Sequence, residues 1–316
     1  MPIVDPSPWW RSRVLPLFTF DPAHPEQRPI GLGTTFRIDP FGNAATAFHV
    51  IEDLLTLKGE HVEIVASAAL VALDMPEGAI LLGSPPIPTD WWRALHGLCT
   101  QPLGIHSSPL IHESTKIRNL SELALLGFVP LIANAAPYLP LKLRGSMPMK
   151  GEILTAYGYA NLDVGKFEND AITQYLYSIA GPVSEVIAAD FQSSRPWPKV
   201  MVEAHWPSGM SGGPVVDAAG EVVGLVSTSY DGVEQSSVHV FSGWNIPELN
   251  FPMLDPDKPG WFRGFAAVDA NAHPRFFGHV SLEAEEFAAL NGYKAMAVSF
   301  NPMTGGWLVV DSVLIA

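Results

Sequence analysis

Ser208-Gly209-Met210-Ser211-Gly212-Gly213-Pro214-Val215-Val216-Asp217-Ala218-Ala219-Gly220-Glu221-Val222-Val223-Gly224-Leu225-Val226-Ser227 is the stretch from which the rest of the chain is read. A serine stands among glycines on a tight turn. A short strand (Pro214 to Val216), a turn (Asp217 to Gly220) and a second strand (Glu221 to Ser227) follow. Glycine ahead of the serine lets successive backbone N–H groups converge on one point. Donors from Gly209 and Ser211 can then hold an oxyanion while the Ser211 hydroxyl attacks a carbonyl. Taken alone, a Gly- and Ser-rich structural turn between strands accounts for the same letters equally well.

The letters also satisfy Gly-x-Ser-x-Gly, the elbow of α/β-hydrolases. That elbow must feed directly into a helix, whereas Pro214-Val215-Val216 leads into a hairpin, so the context is wrong. Gly209 to Pro214 instead resembles the nucleophile loop of trypsin-like (chymotrypsin-fold) serine proteases, Gly-x-Ser-Gly-Gly-Pro. The resemblance implies a mainly β fold of two antiparallel six-stranded β-barrels, with the active site between them. It also requires a histidine and an acid upstream. Ile30 to Ile38 reads as a strand, Asp39 to Asn43 as a turn, and Ala44 to Ala47 as the returning strand. Thr46-Ala47-Phe48-His49 then resembles the family's Thr-Ala-x-His. An isolated histidine is usually structural, but after this hairpin His49 is the expected general base.

Leu120-Ser121-Glu122-Leu123-Ala124-Leu125-Leu126 is similar to the family's Asp-Leu-Ala-Leu-Leu run, with Glu122 in the aspartate's place. Its extra methylene still lets the carboxylate reach a histidine Nδ1–H if the backbone sits slightly further back. Asp74, Asp90 and Glu113 are the rival acids, and none opens a comparable apolar run. The resemblance therefore implies catalytic His49, Glu122 and Ser211, with an oxyanion hole from the Gly209 and Ser211 N–H groups. Met210 stands where zymogen-type members carry an aspartate, so activation by N-terminal cleavage is not expected. Many disulfide-free bacterial members share that departure.

The floor of the family's specificity pocket lies six residues before the serine, at His205. No acid is present there, so a preference for Arg or Lys is not expected. His205 can instead favour polar or acidic side chains, or Trp206 can fill the space. Val226-Ser227-Thr228 matches the strand that pairs with substrate backbone by β-augmentation.

Composition bounds the reading. The chain has 316 residues, 47% of them hydrophobic and 16% charged, enough to bury a large core and divide into two units. Its 29 prolines and 27 glycines separate many short apolar runs, as strands with irregular connections require. A net charge of −14 argues against nucleic-acid and anionic-membrane partners. Cys99 is the only cysteine, so no intrachain disulfide can form and a reducing compartment is favoured. Met1 to Asp5 lacks a basic n-region and Pro2, Pro6 and Pro8 interrupt any apolar stretch. A cytoplasmic protein is the resulting expectation. His106, His112 and Glu113 fit no metal-ligand spacing, and neither metal nor organic cofactor is implied.

The expected order is an N-terminal arm (1–29), a first barrel with a long insertion (30–132), a linker (133–150), a second barrel (151–245) and a C-terminal extension (246–316). A helix is expected near Trp91 to Leu95. In the small α+β extension, Ser281 to Leu290 reads as a helix with a serine cap and Asn291-Gly292 closing it. Strands follow at Ala295 to Phe300 and Trp307 to Ile315. The leading expectation is an intracellular serine endopeptidase acting on protein or peptide substrates. Two alternatives stay open: a non-catalytic peptide- or protein-binding module on the same fold, and a latent protease released by a regulatory protein partner.

Overall fold

Short apolar runs punctuated by glycine and proline fold as strands, and among the described residues the three α-helical segments are 4, 4 and 11 residues long. The computed structural model describes residues 3–4, 8–38, 43–59, 61–75, 87–106, 116–128, 141–160, 162, 175–188, 197–229, 234–240, 255, 257–258, 261–278, 281–301 and 306–310.

The first half contains β1 (Ile3–Val4), α1 (Pro8–Arg11), β2 (Val14–Phe20), β3 (Ile30–Arg37), β4 (Asn43–Ala47) and α2 (Phe48–Ile51). It continues with β5 (Leu55–Lys58), β6 (His61–Ile64), β7 (Ala69–Leu73), β8 (Trp92–Cys99), β9 (Pro102–His106), β10 (Lys116–Asn119) and β11 (Leu123–Phe128). Six of these close into a barrel in the order β11-β4-β3-β2-β7-β8, while β5–β6 and β9–β10 form separate two-stranded sheets. Leu15, Leu17, Phe48, Ile51, Leu126 and Phe128 belong to its core.

The second barrel is built from β12 (Ile153–Tyr159), β13 (Leu176–Ile187), β14 (Lys199–Val202), β15 (Pro214–Val216), β16 (Val222–Ser229) and β17 (Ser236–Val240). Its ring runs β13-β12-β15-β16-β17-β14 and closes through β13–β14 pairing, with β1 added to β13. β13 is one continuous strand of 12 residues. It serves two partners, giving Leu176 to Pro182 to β12 and Val183 to Ile187 to β14. A register shift between Val183 and Glu185 supplies the bend that closure needs.

Both barrels lie in one unit (1–36, 44–128 and 142–245). The second unit comprises 37–43, 129–141 and 246–316. It carries β18 (Phe262–Val268), β19 (Pro274–Gly278), α3 (Ser281–Asn291), β20 (Lys294–Asn301) and β21 (Gly306–Val309), with strand order β19-β18-β20-β21. Ala284 and Ala288 of α3 pack with Ala267 and Phe276 of the sheet. Gly292, at φ 69°, follows the end of the helix, a conformation glycine adopts without strain.

Two expectations require correction. Val14 to Phe20 is not part of an arm but a barrel strand, buried along nearly its whole length. A proline within a run normally argues against a central strand. Pro16, however, falls before β7 pairing begins at Leu17, where β3 is the neighbour on one side alone. The helix expected near Trp91 to Leu95 is a 3-10 turn (Thr89–Trp91) leading straight into β8. Both β7 and β8 belong to the barrel wall. His112, Glu113, residues 133–140 of the expected linker, residues 302–305 and residues 311–316 lie outside the described residues.

Candidate active site

The backbone of the Ser211 loop is held from both barrels. Within the second barrel, Gly212 N–H donates to Val226 O at 2.9 Å, Val226 N–H to Gly213 O at 2.9 Å, and Gly213 N–H to Met210 O at 2.9 Å. Met210 is fully buried in that barrel's core, where an aspartate would need a charged partner. From the first barrel, Thr34 N–H donates to Ser211 O at 2.8 Å and Thr34 Oγ1 to Gly209 O at 2.8 Å. Thr34 Oγ1 also accepts from Tyr159 N–H at 2.9 Å, and Thr34 O accepts from Thr46 Oγ1 at 2.8 Å.

Glycine is required at 212 for two reasons. Its φ is 82°, and an added Cβ would lie 2.2 Å from Thr46 Oγ1 and 2.8 Å from Ala47 N. The loop therefore rests against the end of β4, two to three residues before His49. Gly209, at φ 94°, opens the turn. Neither Gly209 N–H nor Ser211 N–H has a hydrogen-bond partner among the described residues, and the Ser211 hydroxyl likewise has none. Ser211 is half-buried.

His49 sits on α2, one turn of helix directly after β4, rather than on the strand itself. Phe48 N–H donates to Glu122 O, which ties this turn to the loop ahead of β11. The His49 Nδ1 and Glu122 Oε1 atoms are hydrogen-bonded, with His49 23% exposed and Glu122 0%. Of the acids weighed from sequence, Glu122 is the one paired with His49, whereas Asp74 bonds Arg93 Nε at 3.1 Å. With Nδ1–H donated to the carboxylate, a neutral His49 keeps its Nε2 lone pair free to take a proton. The other carboxylate oxygen, Glu122 Oε2, is buried with no partner among the described residues. A carboxylate so poorly satisfied is a weak stabiliser of the fold but a strong counter-ion for an imidazolium.

β16 passes beside this arrangement. Its pairing with β15 ends where Val226 exchanges bonds with the Gly212–Gly213 loop, while pairing with β17 continues through Thr228 and Ser229. A register shift falls between Val226 and Thr228. Val226 and Ser227 are buried and Thr228 is half-buried. His205 is exposed; Trp206 is fully buried in the second barrel's core, its Nε1–H donating to Ile179 O at 3.3 Å.

Three contributors escaped sequence reasoning. Thr34 carried only a weak signal, a polar residue on an apolar strand after Gly33. Ser121 and His239 are buried beside Glu122, and a histidine flanked by valines in Val238-His239-Val240 was the available hint. Among the described residues no cluster of His, Cys, Asp and Glu forms a metal site, and no helix is long and apolar enough to cross a membrane.

Among solved structures, the active form of the Rv3671c protease from M. tuberculosis is 17% identical, covering 73% of this chain and 76% of that one, with a TM-score of 0.43. Deg5 is 15% identical over 72% of this chain and 84% of its own, at a TM-score of 0.43. No curated protein matches the sequence. The family model for the trypsin-like peptidase domain matches residues 33–225, a span that contains His49, Glu122 and Ser211. That match extends over more than half of the chain, which therefore belongs to the trypsin-like peptidase domain family.

Proposed function

We propose that the protein is a serine endopeptidase that hydrolyses peptide bonds through an acyl-enzyme, with Ser211 as nucleophile, His49 as general base and Glu122 as the acid that orients it. The observation carrying this reading is the buried Glu122 carboxylate bonded to His49 Nδ1, on the turn that directly follows the end of β4 against which the Ser211 loop is packed. Nε2 of His49 takes the hydroxyl proton as Ser211 Oγ attacks the carbonyl carbon. Glu122 steadies the imidazolium so formed. The tetrahedral oxyanion is held by Gly209 and Ser211 N–H, donors that have no partner among the described residues. His49 then passes the proton to the leaving amine. Water, deprotonated by the same nitrogen, cleaves the ester and frees Ser211.

Substrate backbone pairs with the β16 edge at Ser227 and Thr228, where β15 no longer covers it. With exposed His205 and no acid at the pocket floor, uncharged, polar or acidic side chains are accepted in preference to Arg or Lys. The lone Cys99 supports a reducing, intracellular setting.

The test is active-site labelling with a fluorophosphonate, together with hydrolysis of a denatured protein substrate. Wild type should label and cleave, and Ser211→Ala and His49→Ala should do neither while unfolding at an unchanged temperature. A folded wild-type protein that neither labels nor cleaves would reject the enzyme in favour of a binding module.

A further inference from the structure

Behind Glu122 lies a second polar layer that the mechanism does not use. Asn119, Ser121 and His239 are all buried, at 2%, 1% and 0% exposure. Ser121 Oγ accepts Leu123 N–H at 3.1 Å and meets His239 Nε2 at 3.1 Å, while Asn119 Nδ2 donates to Ser121 O at 2.6 Å. The Ser121 oxygen keeps a second lone pair beside the one given to Leu123 N–H, so a neutral His239 bonds it through Nε2 in either tautomer. His239 belongs to β17 of the second barrel and Ser121 to the acid loop of the first. The contact is thus a clamp between barrels, one residue from the acid.

We propose that His239 is a positioning residue: through the Ser121 hydroxyl it fastens the acid loop to β17 and so aims the Glu122 carboxylate at His49 Nδ1. This rests on the reading of Glu122 as the acid of the triad. The chemistry suits a neutral ring. Burial pushes the His239 imidazole down to about 4, against the pull of the Glu122 charge. Lys199 stands opposite on β14, and the Trp197 ring meets His239 edge-on with centroids 5.9 Å apart. A carboxylate held by one histidine, with its second oxygen unpartnered among the described residues, depends on its backbone for direction. That backbone is what Ser121, Asn119 and Phe48 N–H fix.

His239→Leu, His239→Gln and Ser121→Ala test the assignment in the full chain. The His49 Nδ1–H proton is followed by NMR at fixed pH, a readout independent of peptide hydrolysis. An aimed carboxylate holds that proton in a charge-assisted hydrogen bond, so its downfield resonance should move upfield or broaden away in H239L and S121A. H239Q, which can still hydrogen-bond the Ser121 hydroxyl, should restore most of that signal. On a peptide substrate, H239L and S121A should each lower kcat roughly tenfold with little change in KM. The double variant should lose no more than the worse single one. If H239L does not fold, S121A, which removes a single oxygen, carries the same comparison. An unchanged Nδ1–H resonance in folded S121A, or additive losses in the double variant, would overturn the proposal. Wild type inert to fluorophosphonate would instead reject the endopeptidase reading, with the Nδ1–H resonance still deciding whether His239 acts on the pair.

Discussion

On the Ser211 side of the candidate site, geometry is carried by backbone: two positive-φ glycines, carbonyls held by Thr34, and N–H groups left facing outward. On the His49–Glu122 side it is carried by side chains in a polar layer, with a carboxylate, a serine, an asparagine and a second histidine buried together. The first construction tolerates no added atoms but little depends on charge. The second can accept changes of shape, yet every member depends on its partners being present and in the right protonation state. The difference teaches which substitutions should disturb folding and which should disturb chemistry.

The largest expected effect falls on the charged side. Glu122→Gln keeps the shape and removes the charge, and should lower turnover by roughly 10⁴, measured against a protein substrate, with a thermal midpoint at or above that of wild type. A loss of less than tenfold would mean that another acid orients His49. On the backbone side, Gly212→Ala forces a Cβ against Thr46 and should cost about 3 kcal/mol or more in denaturant unfolding. Gly220, at φ 79°, has nothing within 4 Å of its Cβ position. Its alanine variant should pay only the left-handed penalty of about 1–2 kcal/mol. Equal costs at the two glycines would contradict the close packing of the loop on β4.

A pH titration of stability sharpens the contrast further. The folded-state value for His239 lies near 4, below its ordinary 6.5. The unfolded chain therefore takes up this proton first as pH falls. The stabilisation is complete above 6.5 and is lost as pH drops towards 4, at about 1.4 kcal/mol per pH unit. His239→Gln should flatten that slope; an unchanged slope would assign it to other groups. The smallest effect is expected at Thr34→Val, which loses the bonds to Gly209 O and Tyr159 N–H. It should cost about 1–2 kcal/mol and slow fluorophosphonate labelling without abolishing it, as followed by gel fluorescence over time.

The backbone half was the more legible in the sequence. Gly209 to Pro214 states its own turn, because glycine admits the positive φ that other residues avoid and proline fixes its own φ. The barrel strands on either side followed from apolar runs, although Pro16 hid β2 and the Trp91–Leu95 run imitated a helix. Glu122 was found through the Leu123 to Leu126 strand that follows it, and His49 through the hairpin before it. Thr34, Ser121 and His239 were not, since their roles depend on hydrogen bonds to residues between 118 and 175 positions away and, for Thr34, on Thr46 across the hairpin. A local pattern carries no trace of such partners. The second unit's use of 37–43 and 129–141 was equally invisible, because contacts across the chain assign those segments.

The central claim is that Ser211 Oγ, His49 and the paired Gly209 and Ser211 N–H groups converge on one reacting carbon. A crystal structure of the protein after reaction with a fluorophosphonate tests it most directly. The phosphorus should be bonded to Ser211 Oγ, with one phosphonyl oxygen about 2.7–3.1 Å from both N–H groups and His49 Nε2 facing the adduct. A phosphonate attached to any other residue, or bound to Ser211 with its oxygen turned away from Gly209, would contradict the account.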